Sequence, residues 1–151
     1  MPAKKIYLLD LGWVEGDLGW FLPGVPGGAA TWSNRNPPRT LVKSPICAAL
    51  IEHKDGLVLF DGGPSPDANE TRPVPTTNFH LVDFKPENTL EKQLELIGYK
   101  PSDISFVALS HLHWDHVGQL PLFKQYKTPI IVQKKELEWA LFSIWIGKGV
   151  Y

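Results

Sequence analysis

The chain has 151 residues, of which 43% are hydrophobic and 21% are charged, and its formal net charge is −1. A chain of this length can bury most of its apolar surface within one compact domain. The near-zero charge argues against a surface that attracts nucleic acid or an anionic membrane, and no apolar run approaches the roughly 18 residues that span a bilayer. We therefore expect a soluble protein whose partner is a small molecule.

The N-terminal segment and the single cysteine both favour a cytoplasmic protein. Residues 5–11 (KIYLLDL) form only a short apolar run with no small-residue cleavage site after it, so we predict a first strand rather than a signal peptide. Because Cys47 is the chain's one cysteine, an internal disulfide is excluded, which suits a reducing compartment. Its surroundings, ICAALI, predict a small buried residue in a strand.

Two more apolar segments rich in strand formers, 46–52 and 56–61, are joined by the turn HKDG and predict a β-hairpin. The stretches 12–45 and 62–80 are rich in glycine and proline and are predicted to be loops. Loops of this length inside a compact domain are usually functional or mobile. The large aromatics of the first loop either pack it onto the domain or line a substrate cleft; they are Trp13, Trp20, Phe21 and Trp32.

The second part of the chain predicts alternating helices and strands. A helix begins at Asn88, where N-T-L-E resembles a capping box, and ends at Gly98. Residues 104–109 and 129–133 predict two buried strands, the first buried on both faces. From Glu136 onward, apolar residues recur on one helical face. The order indicates an α/β (α+β) fold whose last helix needs a further layer, so we expect a fragment of a longer protein or one completed by a partner.

The run HLHWDH places four side chains with metal-ligand chemistry within six residues, directly after the predicted strand 104–109. Side chains two apart share a face of an extended chain, so His111 and His113 can point at one ion. A turn around Trp114 must redirect the chain, and it can aim Asp115 and His116 at a second ion. Buried strands of α/β enzymes carry functional groups at their carboxyl ends, which favours a metal site here.

The ligand arithmetic shows a shortage, because two ions need more than four protein ligands. The remaining histidines, His53 and His80, lie in polar, turn-like contexts and are expected to be surface residues rather than ligands. Asp61, in LVLFDGG, ends its own strand and has two open interpretations: it orients a ligand histidine through the second ring nitrogen, or it only forms a turn before two glycines. Gly118, just past the run, predicts close backbone approach.

These residues resemble a known superfamily. HLHWDH matches the HxHxDH signature of the metallo-β-lactamase superfamily at all four fixed positions, and LVLFDGG resembles its upstream strand-aspartate-glycine element. The order of KKIYLLDLG, ICAALIEHKDGLVLFDGG, the segment ending in SHLHWDHVGQLPLF, and TPIIVQKKELEWAL is most similar to the N-acyl-homoserine lactonases, over residues 4 to about 142.

The resemblance implies an αββα sandwich with two zinc ions at one edge of the sheets, of which residues 1–151 would be the amino-terminal half of a single domain. His111 and His113 would bind one zinc, Asp115 and His116 the other, and Asp61 would lie just behind them. A metal-bound hydroxide would attack the lactone carbonyl, and Asp115 would handle the proton as the ring opens. The family's remaining ligands, and a tyrosine that assists the carbonyl, belong to a second half that this sequence does not contain.

We therefore expect a zinc-dependent hydrolase that opens a lactone of the N-acyl-homoserine type, a quorum-quenching activity. One alternative is a hydrolase of the same fold that acts on thioesters, other esters or β-lactams. Another is a non-catalytic, metal-binding half-domain that self-associates. The expected partners are a small-molecule lactone or ester, and either a second copy of the chain or a complementing carboxy-terminal half.

Overall fold

The computed structural model of the protein describes residues 3–22, 30–71 and 79–147. They form one mixed sheet of six strands with short helices packed around it. The strands are β1 (Lys5–Asp17), β2 (Leu41–His53), β3 (Gly56–Phe60), β4 (Phe79–Val82), β5 (Ile104–Ala108) and β6 (Ile130–Ile131). The helices are α1 (Leu18–Phe21), α2 (Ala68–Thr71), α3 (Leu90–Leu96), α4 (Trp114–Val117) and α5 (Lys134–Trp145), with 3₁₀ segments at Pro86–Asn88, Pro101–Asp103 and Leu120–Tyr126.

The strand order is β4-β1-β2-β3-β5-β6, and the direction of the strands changes within the sheet. The pairs β4-β1, β1-β2 and β2-β3 are antiparallel, which confirms the predicted hairpin between β2 and β3. The pairs β3-β5 and β5-β6 are parallel. Parallel strands end at the same edge of a sheet, so the chain leaves β3, β5 and β6 on one side. The predicted α/β class is confirmed.

The first two strands are longer than predicted, and the predicted loops are correspondingly shorter. β1 and β2 have 13 residues each and stay paired across an irregularity between Asp10 and Trp13. The ends of the predicted loop 12–45 are therefore strand, because cross-strand pairing overrides the local turn composition. Likewise β4, which pairs with β1, replaces the end of the predicted loop 62–80. The middle parts of these loops, 23–29 and 72–78, lie outside the described residues.

Helix α3 is shorter than predicted. Its N-cap is Thr89 rather than Asn88, and its first helical residue is Leu90. The Asn88 side chain does not form the predicted capping box with Glu91. Its Oδ1 instead accepts the backbone N–H of Lys85, and its Nδ2 donates to the carbonyl of Asp10. Asn88 thus ties the turn before the helix to β1, which a helix-start pattern could not reveal. Gly98, with φ of +84°, ends the helical region as predicted.

One face of the sheet carries the hydrophobic core. Leu9 and Leu11 of β1, Leu50 of β2 and Leu59 of β3 pack there with the apolar side of α3, and each is at most 1% exposed. The opposite face is open within the described residues: Leu8 is 77% exposed. The prediction that Cys47 is buried is wrong, because side chains alternate along β2 and the cysteine has the parity of the open face.

The two strands beyond β3 are also less covered than predicted. Phe106 and Ala108 of β5 are only half-buried and Ser105 is exposed, so the prediction that this strand is buried on both faces is wrong. The prediction of a buried strand at 129–133 is wrong, because β6 is a two-residue edge strand whose Ile130 and Ile131 are 45% and 52% exposed. Apolar runs in this part of the chain face outward.

The last helix, α5, contacts the body through a narrow stripe. Ala140 and Ser143 are its buried residues, whereas Leu141, Ile144 and Trp145 are 58% to 81% exposed. The predicted apolar face is therefore present, and apart from Ala140 it stays uncovered by the residues that the structure describes. No helix in the described ranges is both long and apolar enough to cross a membrane.

Candidate metal centre

The candidate site lies at the edge of the sheet where β3 and β5 end. Phe60 and Ala108 are the last residues of these parallel strands and are paired with each other. The backbone N–H of Asp61 donates to the carbonyl of Ala108 at 2.9 Å, so the segments that follow the two strands stay paired for one more residue. This register brings the LVLFDGG and HLHWDH segments into contact, although they are far apart in sequence.

Asp61 is the buried centre of this contact. Its side chain is only 6% exposed, and its carboxylate accepts three hydrogen bonds: from the Ser110 backbone N–H (2.8 Å), from the Ser110 hydroxyl (2.8 Å) and from Nδ1 of His116 (2.9 Å). The backbone of Asp61 has φ of +64°, a left-handed conformation that aspartate tolerates better than most residues. Asp61 therefore forms the turn and also contacts a predicted ligand histidine, so its two interpretations are compatible.

The Asp61–His116 contact has opposite effects on the two partners. Burial raises the pKa of the Asp61 carboxyl, but the hydrogen bonds from His116 and Ser110 outweigh burial and lower the pKa. Burial lowers the pKa of His116, but its hydrogen bond to Asp61 outweighs burial and raises the pKa. With the Nδ1 proton directed at Asp61, the Nε2 atom of His116 is oriented toward Asp115, 3.5 Å from its Oδ2.

His111 lies against both other histidines of the run. The ring of His111 is 4.0 Å from that of His116 and 4.5 Å from that of His113, measured between centroids. Burial is the main reason that the pKa values of His111 and His113 are lowered, which favours neutral imidazoles. Neutral imidazole is the form that binds metal ions.

Ser110 connects His111 to the same carboxylate. Its hydroxyl donates to Asp61 and lies 2.9 Å from Nδ1 of His111. Since a hydroxyl has one proton to give, Ser110 can accept the Nδ1–H of His111, which leaves the lone pair on Nε2. Asp61 thus acts on two histidines, on His116 directly and on His111 through Ser110.

The chemistry of this donor set fits a divalent transition metal, because it combines three imidazoles with a carboxylate. Within residues 3–22, 30–71 and 79–147, however, no group of three or more histidine, cysteine, aspartate or glutamate side chains is arranged to hold an ion. The predicted ligands His111, His113, Asp115 and His116 are therefore neighbours, and their role as ligands stays a prediction.

Close backbone packing fixes the loop that carries these side chains. The N–H of Gly62 donates to the carbonyl of His116 at 2.8 Å. A Cβ on Gly118 would overlap the backbone nitrogen of Ser65 and lie 2.5 Å from the carbonyl carbon of Pro64. The close approach predicted at Gly118 is confirmed, and only glycine fits there without a shift of the backbone.

His53 and His80 lie away from the site. His53 ends β2 at the hairpin turn, where β3 begins, which is the opposite end of β3 from Asp61. His80 is exposed on β4, at the far edge of the sheet, with its Nδ1 3.2 Å from Asn69. The expectation that neither histidine joins the cluster agrees with these positions.

Two residues that touch the site were not among the predicted site residues. Ser110 precedes the histidine run directly, and its position next to His111 was a usable signal. Glu136 of α5 accepts a hydrogen bond from the Leu112 backbone N–H at 2.9 Å. Nothing local to Glu136 indicates this contact, because it depends on where α5 packs.

The aromatics of the first predicted loop do not form one cluster. Trp20 and Phe21 pack edge-on against Phe79 of β4, with ring centroids 6.0 and 5.5 Å away. Trp32 is 87% exposed, and the guanidinium of Arg35 lies 4.2 Å from its ring. Phe21 packs onto the domain, whereas Trp20 is 60% exposed despite its contact with Phe79.

The chain is similar in sequence to known proteins. The sequence profile of the metallo-beta-lactamase superfamily matches residues 44–145. The N-acyl homoserine lactonase AiiB of Agrobacterium fabrum is 32% identical over 145 residues, which are 92% of this chain and 50% of that protein. An N-acyl homoserine lactonase of Bacillus cereus is 33% identical over 109 residues, 70% of this chain and 43% of that protein.

A solved structure agrees with these matches. It is an N-acyl homoserine lactone hydrolase with the product N-hexanoyl-L-homoserine bound at the catalytic metal centre. It is 29% identical to this chain and has a TM-score of 0.75. The match covers 93% of this chain and 53% of that protein's chain. This chain thus spans about half the length of the relatives it matches. Since the superfamily profile matches more than half of its residues, the chain belongs to the metallo-beta-lactamase superfamily.

Proposed function

We propose that this chain forms the amino-terminal part of a zinc-dependent hydrolase that opens the ring of an N-acyl-homoserine lactone. The observation that carries the proposal is the buried Asp61 carboxylate, which holds His116 directly and His111 through Ser110 beside His113 and Asp115. The similarity to N-acyl homoserine lactonases over 70% to 92% of the chain supports the choice of substrate class.

In this proposal His111 and His113 hold one zinc ion, and Asp115 and His116 hold the second. The remaining ligands come from outside residues 1–151. Two such ions would supply water that is activated at neutral pH and would polarise the carbonyl of the substrate. Asp61 keeps His116 in one tautomer and one orientation, since its carboxylate can only accept the Nδ1 proton.

Asp115 has a second task in this proposal. Hydrolysis adds water across the ester bond of the lactone, so the ring oxygen must gain a proton as its bond to the carbonyl carbon breaks. A carboxylate at the site can take the proton that water loses and deliver it to that oxygen. The Asp115 carboxylate is partly exposed and lies 3.5 Å from Nε2 of His116. The products are a carboxylic acid and a free hydroxyl on one molecule.

Substrate competition on the full-length protein tests the reaction. We expect opening of N-hexanoyl-homoserine lactone and little turnover of a matched thioester or β-lactam. The variant Asp115→Asn should lose most of this activity, whereas Asp55→Asn, in the exposed turn between β2 and β3, should keep it. Thioester or β-lactam cleavage that exceeds lactone opening would replace the substrate class with that of another hydrolase of this superfamily.

Metal analysis tests the ligand assignment separately. We expect the full-length protein to bind two zinc ions per chain and the double variant His111→Ala, His113→Ala to lose at least one. An unchanged zinc content in the double variant would contradict the assignment of both histidines.

A second candidate function is a non-catalytic, metal-binding half-domain that self-associates. The open sheet face and the outer side of α5 favour it, because large apolar side chains such as Leu8 and Trp145 are about 80% exposed there. Sedimentation of the 151-residue chain with metal analysis separates the candidates. Self-association with weak metal binding and no turnover supports this function, whereas a monomer with two tightly bound zinc ions contradicts it.

A further inference from the structure

Glu136 reaches the histidine run from a different element of the fold. It belongs to the first turn of α5, and its Oε1 accepts the backbone N–H of Leu112 at 2.9 Å. Leu112 lies between His111 and His113, the two residues to which the proposed function assigns one metal ion. A hydrogen bond at this position restrains the backbone torsions on both sides of it, and therefore the directions of the two imidazoles.

The backbone path shows why this restraint is needed. The N–H groups of Val107 and Leu109 donate to Pro129 and Ile131, on the β6 side of β5. The next N–H, of Ser110, donates to Asp61 on the β3 side, as alternation along an extended strand requires. An extended chain would also direct the N–H of Leu112 toward β3. That N–H instead donates to the Glu136 side chain, so α5 rather than a strand holds the backbone at Leu112.

Two carboxylates therefore replace the neighbouring strands after the sheet ends. Asp61, directly after β3, holds Ser110, and Glu136, in the helix after β6, holds Leu112. Each one fixes one side of the segment that bears His111.

The position of Glu136 on α5 is itself fixed. Glu136, Ala140 and Ser143 are four and three residues apart and so lie on one face of the helix. Ala140 and Ser143 are the buried residues of α5 and Glu136 is half-buried, so this face packs on the body. Glu138 lies on a different face, exposed, with its carboxylate 3.5 Å from Lys134. The two glutamates share a helix but only Glu136 contacts the site.

We propose that Glu136 is a positioning residue that sets the orientation of the His111–His113 pair through the Leu112 N–H. The inference rests on the proposed function for the identity of the metal ligands, but the hydrogen bond itself can be tested without metal. The role requires an acceptor atom at position 136 rather than a negative charge. Glutamine keeps such an oxygen, whereas methionine keeps the length and the helix propensity with only a weak acceptor.

The test compares Glu136→Met, Glu136→Gln and Glu138→Met in the full-length protein. Two quantities are measured: the affinity for Co²⁺, followed through its visible absorption bands, and amide hydrogen exchange of the segment around Leu112 in the metal-free protein. We expect Glu136→Met to weaken Co²⁺ binding by about 10–100-fold, the usual effect of losing an outer-shell hydrogen bond, and to speed exchange in this segment. Glu136→Gln should restore most of both, and Glu138→Met should change neither.

Three results would overturn the inference: wild-type affinity and exchange in Glu136→Met, equal losses in Glu136→Met and Glu136→Gln, or an equal loss in Glu138→Met. The second result would assign the effect to charge rather than to the hydrogen bond. A wild-type protein that takes up no Co²⁺ would contradict the proposed function instead, and the exchange data would still decide whether Glu136 holds the loop. If Glu136→Met does not fold, slow exchange and wild-type affinity in Glu136→Gln still support the role, and their loss contradicts it.

Discussion

The segment after β5 and the outer face of α5 differ in how their side chains are paired or covered. The segment after β5 is polar, yet its groups are paired: Asp61 accepts three hydrogen bonds, and Glu136 accepts a fourth from Leu112. The outer face of α5 is apolar, yet Ile144 and Trp145 are 58% and 81% exposed. From composition alone, the polar segment would be expected at the surface and the apolar helix face in the core. The structure shows the reverse.

These two regions show which parts of the architecture this chain determines by itself. The edge of the sheet that carries the histidines is organised by contacts among β3, β5 and α5, all of which lie in the chain. The outer face of α5 and the open sheet face have no such partners among the described residues. Variants in the two regions should therefore behave differently.

Phe123→Ala should have the largest effect on stability. Phe123 follows the histidine run and is the largest fully buried side chain among the described residues, 1% exposed. Truncation of a buried phenylalanine removes its transfer free energy and leaves a cavity, so we expect the free energy of unfolding to fall by about 3–5 kcal/mol. Denaturant unfolding of the 151-residue chain measures this, and a loss below about 1 kcal/mol would show that the core around Phe123 is not well packed.

Asp61→Asn should weaken metal binding by about 10–100-fold, the usual effect of changing a group that orients a ligand. The asparagine amide cannot accept all three hydrogen bonds that the carboxylate receives from Ser110 and His116. Isothermal titration with Zn²⁺ measures the change. Asp83→Asn is the matched control, because Asp83 also has a positive φ, of 49°, but is an exposed partner of Lys43. An equal loss of Zn²⁺ affinity in both variants would contradict the orienting role of Asp61.

Gly118→Ala should lower the free energy of unfolding by about 1–3 kcal/mol, as overpacking in a close contact does. The added methyl group meets the backbone of Pro64 and Ser65, which cannot move as a side chain can. Gly62→Ala is the milder comparison, because its methyl group would meet the end of the Leu120 side chain at 3.0 Å. Thermal unfolding of both variants checks the order, and a Gly118→Ala variant as stable as the wild type would contradict the close approach.

Trp145→Ala should have the smallest effect, within about 0.5 kcal/mol in the 151-residue chain, because exposed side chains contribute little to folding. With Phe123→Ala it forms a pair of aromatic truncations, one in the buried core and one on the outer face of α5. The same unfolding measurement applies. A loss comparable to that of Phe123→Ala would show that the outer face of α5 is packed against something, and the contrast between the regions would fail.

The sequence predicted the candidate site better than it predicted burial. The HLHWDH run and Asp61 were identifiable because ligand types and strand ends are local features of the chain, and the structure brings them together. The class of the fold and the β2-β3 hairpin followed from strand patterns and a turn. These are properties of short segments, which a sequence shows directly.

Burial and distant contacts could not be predicted in the same way. Cys47 and Ile131 lie in apolar runs, but which face of β2 is covered and which strand lies at the edge depend on the whole sheet. The contact between Glu136 and Leu112 depends on the packing of α5. The extension of β1 and β2 into a glycine- and proline-rich stretch depends on their pairing with each other.

The central claim is that His111, His113, Asp115 and His116 converge on bound metal, and anomalous diffraction at the zinc edge tests it most directly. Crystals of the full-length protein grown with zinc should show an anomalous peak about 2.0–2.1 Å from an imidazole nitrogen of both His111 and His113. A second peak is expected beside Asp115 and His116. Peaks elsewhere, or these four side chains directed away from one another in the presence of zinc, would contradict the account.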